Sequence, residues 1–312
     1  MLDILPALSL MSISLYVLVK GADIFLAGAG EIGRRLSWHP FLVGLVIVGF
    51  GTSLPEIASS FAAISQNKLE FIVANAVGSN IANSLLILGV IIAVNKVTTI
   101  DRSRVSFDMI AMTLVTVMLV VLVLTNSLSF FTGSVLIFIF ILYLYWRFLR
   151  IKKVFDQLSI NENVLSHRQS YLYCLFGMLA VATGAHYTVS SASQVAEWFG
   201  VSIGLVSILV VAMGTSLPEL VVSVKAVSKG NTDLAVGNLV GSNIFNILLV
   251  IGLPSLFVAL VVDELVLSYG ITFMILSTIT FLLFVYKGEM NRWFGVSLLV
   301  LFMVFILKIL GI

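Results

Sequence analysis

Charge is what this sequence has least of. Only 10% of its 312 residues are Asp, Glu, Lys or Arg, against about a quarter in a soluble globular domain. With 60% of the residues hydrophobic, one aqueous fold cannot hide the apolar surface. Cysteine is nearly absent: Cys174 stands alone, which excludes an intrachain disulfide and a thiolate metal cluster. The three histidines, His39, His167 and His186, are scattered, so a zinc or redox centre is not expected. No His-Glu-x-x-His motif and no intramembrane aspartate pair is found, so the chain does not read as an intramembrane enzyme and no cofactor is called for. Proline is scarce as well, at five residues, yet two of them, Pro55 and Pro218, directly precede glutamates.

What remains is apolar sequence in runs of roughly 20 residues, the length that crosses a ~30 Å hydrocarbon core. Runs between polar breaks predict ten spans, at 4–30, 40–66, 70–94, 106–125, 130–149, 171–193, 202–227, 233–262, 266–286 and 292–311. The first run has no basic leader and no cleavage site, so it is expected to be a retained span, with the mature N-terminus near Met1. Placing the N-terminus outside puts fourteen of the 17 Lys and Arg residues in or beside cytoplasmic loops. Only Lys68 and Lys308 then lie outside, with Lys20 inside the first span. Short basic loops stay cytoplasmic, so both termini are expected to be extracytoplasmic in a multi-pass protein of the plasma (cytoplasmic) membrane.

The hexapeptide Gly51-Thr52-Ser53-Leu54-Pro55-Glu56 recurs unchanged as Gly214-Thr215-Ser216-Leu217-Pro218-Glu219, displaced by 163 residues. The same displacement matches Gly21-Ala22 to Gly184-Ala185, Asn75 to Asn238, Gly78-Ser79-Asn80-Ile81 to Gly241-Ser242-Asn243-Ile244, and Asn83 to Asn246. A gapless register of this length indicates duplication. Residues 1–146 form the first five-helix repeat, 147–170 a cytoplasmic linker, and 171–312 the second repeat. Five is odd, so the second repeat enters the membrane inverted, an architecture that places transporter sites at the repeat interface. The expected fold class is an all-α polytopic membrane protein of ten helices in two inverted repeats.

Glu56 and Glu219 each lie in an otherwise apolar span, where a carboxylate facing hydrocarbon costs several kcal/mol. They are functional candidates; the bland alternative is a pair of protonated carboxyls bonding helices together. Each preceding proline lacks an amide, which predicts a kink and free carbonyls around Gly51-Thr52 and Gly214-Thr215. Calcium takes six to eight oxygens at about 2.3–2.6 Å, and two bidentate glutamates with the Thr52 and Thr215 carbonyls would supply six. The Asn75–Asn83 and Asn238–Asn246 segments offer neutral oxygens, which suit sodium. Ser79 and Asn83 share a helix face, as do Ser242 and Asn246. For Asn80 and Asn243, helix packing and ion contact remain equally open.

On these two signatures the chain resembles the cation/calcium exchanger superfamily and is most similar to its short prokaryotic sodium/calcium exchangers, over essentially its whole length. The resemblance implies sodium/calcium antiport, with calcium and sodium as the transported ions. It implies calcium binding by Glu56 and Glu219 with the carbonyls of Thr52 and Thr215. It implies sodium binding by oxygens of Gly49, Ser53, Ser79, Ala212, Ser216 and Ser242. Gly49 stands where relatives often have alanine, which is harmless if only its carbonyl binds. Asn246 stands where some members have aspartate, a feature resembling the potassium-dependent branch, so asparagine counts against potassium co-transport.

Two rivals stand beside sodium/calcium exchange. A proton/calcium exchanger would use the same glutamates, but the serine oxygens beside them favour sodium. A channel needs a continuous pore, whereas inverted halves meeting at one charged site suggest alternating access. The partners called for are the two ions and the lipid bilayer, with no nucleic acid and no obligate protein partner. Lys20 and Asp23, three apart, read as a local ion pair or a snorkelling lysine, and His186 as a packed or interfacial side chain.

Overall fold

The computed structural model describes residues 4–94, 97–99, 102–125, 127–149, 165–198 and 214–311. Its helices run in chain order as α1 (Leu5–Arg35), α2 (Pro40–Ser65), α3 (Leu69–Val94), α4 (Arg102–Leu124) and α5 (Phe130–Leu149). They continue as α6 (His167–Trp198), α7 (Leu217–Ser228), α8 (Thr232–Ser255), α9 (Val266–Lys287) and α10 (Arg292–Ile309). The protein is an all-helical, polytopic membrane fold. Among the described residues nine helices are long and apolar enough to span, all except α7. The run expected at 202–227 lies partly outside the described residues, and α7 is its C-terminal part.

Hydropathy misjudged one end. The eighth span was expected to reach residue 262, but α8 stops at Ser255, where Leu256 and Phe257 close turns onto Leu253 and Pro254. Residues 256–262 are all apolar, so no polar break marks the helix end. Further on, Leu260 N–H donates to the Leu128 carbonyl at 2.9 Å, a backbone bond made without a helix. A small addition to the all-α expectation is a two-stranded antiparallel sheet, β1 (Val97–Thr99) with β2 (Glu289–Asn291), pairing Thr98 with Met290. It joins the α3–α4 loop to the α9–α10 loop and so holds both on one side.

The chain divides into two compact units, each taking segments from both sequence halves: Met1–Thr52 with Ile151–Asn238, and Ser53–Arg150 with Leu239–Ile312. In the first unit α1 lies along α6 on glycines. A Cβ at Gly28 would stand 2.6 Å from the Cys174 amide nitrogen, and one at Gly184 would stand 2.6 Å from that of Leu18. Apolar side chains gain little from leaving lipid for each other, so such contact between backbones supplies the packing that holds membrane helices together. Gly44 and Gly237 bring the start of α2 against the start of α8 in the same way, with added Cβ atoms falling 2.9 Å from Asn238 N and Leu45 N.

In the second unit α10 meets α3 through Gly295 and Gly89, and α5 meets α8 through Gly133 and Ser255. A charge inside this unit escaped the sequence reading. Asp108 on α4 is fully buried, accepts a 2.8 Å hydrogen bond from the Tyr143 hydroxyl and pairs with the Arg147 guanidinium at 3.3 Å. Both partners come from α5, so a buried carboxylate is matched by a cation and a donor, as its depth requires.

The glycine contacts generate a paired test. Gly28→Ala should lower stability by about 1–3 kcal/mol, the usual cost of overpacking. Gly30→Ala, two residues along the same helix with nothing within 4 Å of the added carbon, should be neutral or slightly stabilising. Thermal denaturation in detergent measures both. Equal melting temperatures for the two variants would show that α1 and α6 are not in backbone contact at Gly28.

Candidate functional site

The two copies of the hexapeptide fold alike. The chain turns at Ser53 in the first copy and at Thr215 and Ser216 in the second, and a helix starts at the leucine of each, with φ −85° and ψ 0° at Ser53 and φ −84° and ψ 0° at Ser216. Pro55 and Pro218 therefore stand at the start of a helical segment, not in its interior. They occupy the second position of a new helix, where a missing N–H costs nothing. The first bonds of these half-helices run from Ile57 N to Ser53 O and from Leu220 N to Ser216 O. Glu56 and Glu219 thus lie in the first turn, fully buried, at the positive end of a helix dipole that favours a carboxylate by up to ~2 kcal/mol.

Ser-Leu-Pro-Glu has the spacing of a capping box, yet neither serine caps its helix through its side chain. The hydroxyls of Ser53 and Ser216 are buried and have no hydrogen-bond partner among the described residues.

In the first unit, the Thr52 hydroxyl donates to Asn238 Oδ1 at 3.1 Å, and the Gly49 carbonyl is 3.4 Å away. Asn238 Nδ2 donates to Ser223 Oγ at 2.9 Å, one turn beyond Glu219 on α7. Asn238 therefore ties the break in α2 to the helix that carries the carboxylate, and the Thr52 side chain stands beside Glu219. Thr215 and Ser216 lead directly into α7. Ala212 lies outside the described residues.

In the second unit, Ser53 and Glu56 open the second half of α2, and Asn75 on α3 reaches it through a 3.3 Å bond to Ser59. Ser60, one turn after Glu56, is fully buried with its hydroxyl unpaired among the described residues. Ser79, Asn83, Ser242 and Asn246 are all buried on α3 and α8. Four asparagines connect those helices. Asn80 Nδ2 donates to the Asn243 carbonyl at 3.1 Å and Asn246 Nδ2 to Asn80 Oδ1 at 3.1 Å. Asn83 Nδ2 donates to Asn243 Oδ1 at 3.0 Å, and Asn243 Nδ2 to Ser84 Oγ at 3.0 Å. Exchanging each residue for its counterpart 163 positions away turns the Asn83–Asn243 bond into the Asn246–Asn80 bond, so the pair is reciprocal. Of the two readings open for Asn80 and Asn243, interhelical bonding is the one observed. Wide π-helical turns follow at Ala82–Ile87 and Asn246–Ile251, a local form frequent at functional sites.

The sequence reading passed over Ser60, Ser223 and the bracing role of Asn238, although Ser60 and Ser223 stand at the same displacement of 163. Of the two readings offered for Lys20 and Asp23, the local ion pair is not the one observed. That carboxylate pairs across to α7, with Lys229 at 2.9 Å and Lys225 at 3.2 Å, while the Lys20 ammonium lies 6.0 Å from the Tyr16 ring centroid. Among the described residues no three of His, Cys, Asp and Glu gather as metal ligands.

Comparison with known proteins agrees with this chemistry. The model of the family described as "Sodium/calcium exchanger protein" matches residues 6–149 and 169–311. The sodium/calcium exchanger MaX1 of Methanosarcina acetivorans is 31% identical over 339 aligned positions, covering 95% of this chain and 96% of the relative. Inner membrane protein YrbG of Escherichia coli is 31% identical over 307, covering 95% and 93%. A solved structure of the sodium-calcium exchanger NCX_Mj, soaked with zero Na+ and Ca2+, superposes with a TM-score of 0.82 at 27% identity, covering 99% of this chain and 100% of that one.

The Asn238 brace is testable apart from any activity. Asn238→Leu leaves the Thr52 and Ser223 hydroxyls without their partner and should cost about 1–3 kcal/mol. That loss would be read as a lower melting temperature in detergent; a parental value would mean that the brace carries no load.

Proposed function

Because the chain belongs to the sodium/calcium exchanger protein family, a family of membrane transporters and not of enzymes, we propose that it moves calcium in exchange for sodium. Glu56 and Glu219 supply the two charges that balance calcium, with the carbonyls of Thr52 and Thr215. Sodium is taken by oxygens of Gly49, Ser53, Ser79, Asn83, Ala212, Ser216, Ser242 and Asn246. The observation that carries the reading is the same for both copies: a fully buried glutamate in the first turn of a half-helix, preceded by a serine whose buried hydroxyl has no partner among the described residues. A proton/calcium exchanger needs the carboxylates alone, whereas spare neutral oxygens beside each one suit a sodium ion.

Ten spans in two inverted repeats, with both termini outside, complete the proposal. Parity supports it. Pairing of β1 with β2 holds the α3–α4 and α9–α10 loops on one side, so an even number of crossings separates them. The described spans between them are α4, α5, α6, α8 and α9, an odd number. One further crossing, ending in α7, restores the balance. Lys225 and Lys229 at the α7–α8 connection and the basic residues of the α1–α2 and α5–α6 connections then share the cytoplasmic side.

The decisive experiment is radioactive calcium uptake into sodium-loaded proteoliposomes, with pH clamped and potassium replaced by a large organic cation. Uptake that follows the sodium gradient without potassium supports sodium/calcium exchange; uptake that follows an imposed pH gradient instead would overturn it in favour of protons. Glu56→Gln and Glu219→Gln should each abolish uptake. Removing one partner from a buried charge set costs about 3–5 kcal/mol, a loss of affinity of roughly a hundredfold or more. Both variants should melt no lower than the parent, since each removes a buried charge. Parental exchange by either would remove that residue from the site.

Voltage gives a second readout. The ionised pair carries two negative charges, which one calcium or two sodium ions neutralise. A third sodium leaves one positive charge, whose passage responds to potential by about 2.3 kcal/mol per 100 mV. Uptake altered by a potassium–valinomycin potential indicates three or more sodium ions per calcium, and indifference indicates two.

A further inference from the structure

The four asparagines of the second unit are polarised, and for Asn80 and Asn246 the polarity is set by the main chain. The Asn243 carbonyl can only accept, and it faces Asn80 Nδ2 at 3.1 Å. That bond fixes which end of the Asn80 amide is which, so Asn80 Oδ1 is an acceptor. The atom of Asn246 that meets it at 3.1 Å must then be the donor, Nδ2. Asn246 Oδ1 is left over, buried and without a hydrogen-bond partner among the described residues. The reciprocal bond from Asn83 Nδ2 to Asn243 Oδ1 at 3.0 Å leaves Asn83 Oδ1 in the same condition. Asn243 Nδ2 lies 3.0 Å from Ser84 Oγ and 3.6 Å from the Met112 sulfur, which can only accept, so the amide nitrogen of Asn243 is turned to that side and its oxygen to Asn83.

An unrestrained asparagine amide can present either its oxygen, which attracts a cation, or its NH2 group, which repels one; the two ends are nearly equal in size. Here both amides that lack a partner lack it on the oxygen side. We propose that Asn80 and Asn243 are positioning residues that lock the amides of Asn246 and Asn83 with their oxygens, and not their NH2 groups, turned toward the transported sodium. Each half of the sequence thereby orients a sodium-facing amide contributed by the other half. The inference rests on the reading of Asn83 and Asn246 as sodium ligands, and the experiment separates the two.

Initial rates of sodium-driven calcium uptake are measured in proteoliposomes against sodium and against calcium concentration. Asn80→Ala removes the acceptor that holds Asn246. It should raise the sodium half-saturation about tenfold, the worth of one well-placed oxygen contact, and leave that for calcium within about twofold. The lock becomes redundant if the restrained group is symmetric. Asn246→Asp in the Asn80→Ala background should therefore restore sodium half-saturation, because a carboxylate offers oxygen at either end. On its own, Asn246→Asp sets an acceptor against Asn80 Oδ1 and should be worse than the double variant. Asn243→Ala with rescue by Asn83→Asp is an independent second arm and decides the matter should Asn80→Ala not fold. Parental sodium half-saturation in Asn80→Ala and Asn243→Ala, or a loss that neither aspartate repairs, overturns the lock. Asn246→Leu separates the failures: a raised sodium half-saturation there with none in Asn80→Ala sinks the lock alone, whereas no change in either sinks the ligand reading.

Discussion

A carboxylate at membrane depth is the constraint from which the rest of this structure follows. Water is not there to solvate it, and the cost of leaving it bare is several kcal/mol. Two such groups, Glu56 and Glu219, are fully buried. Each is placed in the first turn of a helix that begins in the protein interior, at the positive end of the helix dipole. Starting a helix there requires ending another one, and an exposed helix end in hydrocarbon would be as costly as the charge. The break in α2 is enclosed: Thr52 and Ser53 are buried, and the Thr52 hydroxyl is held by Asn238.

Enclosure in turn dictates how the helices pack. Apolar side chains gain little from leaving lipid for each other, so close approach and hydrogen bonding do the holding. Glycines bring α1 onto α6, α2 onto α8, α3 onto α10 and α5 onto α8 at backbone distance. Amides then bond across the short gaps, as Asn80, Asn83, Asn243 and Asn246 do between α3 and α8. The same rule governs Asp108, whose charge is matched by Arg147 and Tyr143. Among the described residues, Ser53, Ser60, Ser216, Asn83 and Asn246 each keep a buried oxygen with no hydrogen-bond partner, and no cation stands beside these neutral groups as Arg147 stands beside Asp108.

The span pattern was legible in the sequence because hydropathy reports transfer from water to lipid, and nine spans fall close to where the apolar runs lie. Legibility failed where composition is blind to geometry. The end of α8 at Ser255 lies inside apolar sequence. The α3–α4 and α9–α10 loops carry three-residue strands too short to show a period. Asp23 was matched to its near neighbour Lys20 because sequence proximity was the only distance available; in space its partners are Lys225 and Lys229 on α7.

The sequence by itself determined the repeat, the two carboxylates and the kind of oxygen around them. Those are properties of residue identity and register, and the 163-residue displacement exposed them without coordinates. Only the tertiary structure decided that Pro55 and Pro218 start helices and do not bend them, that Ser53 and Ser216 decline to cap, and that Asn80 and Asn243 spend their amides on other amides. A side chain able to donate, accept or bind a cation carries all of those options in its formula. Which one it takes depends on what the fold sets opposite it, and for Asn80 that is the carbonyl of a residue 163 positions away.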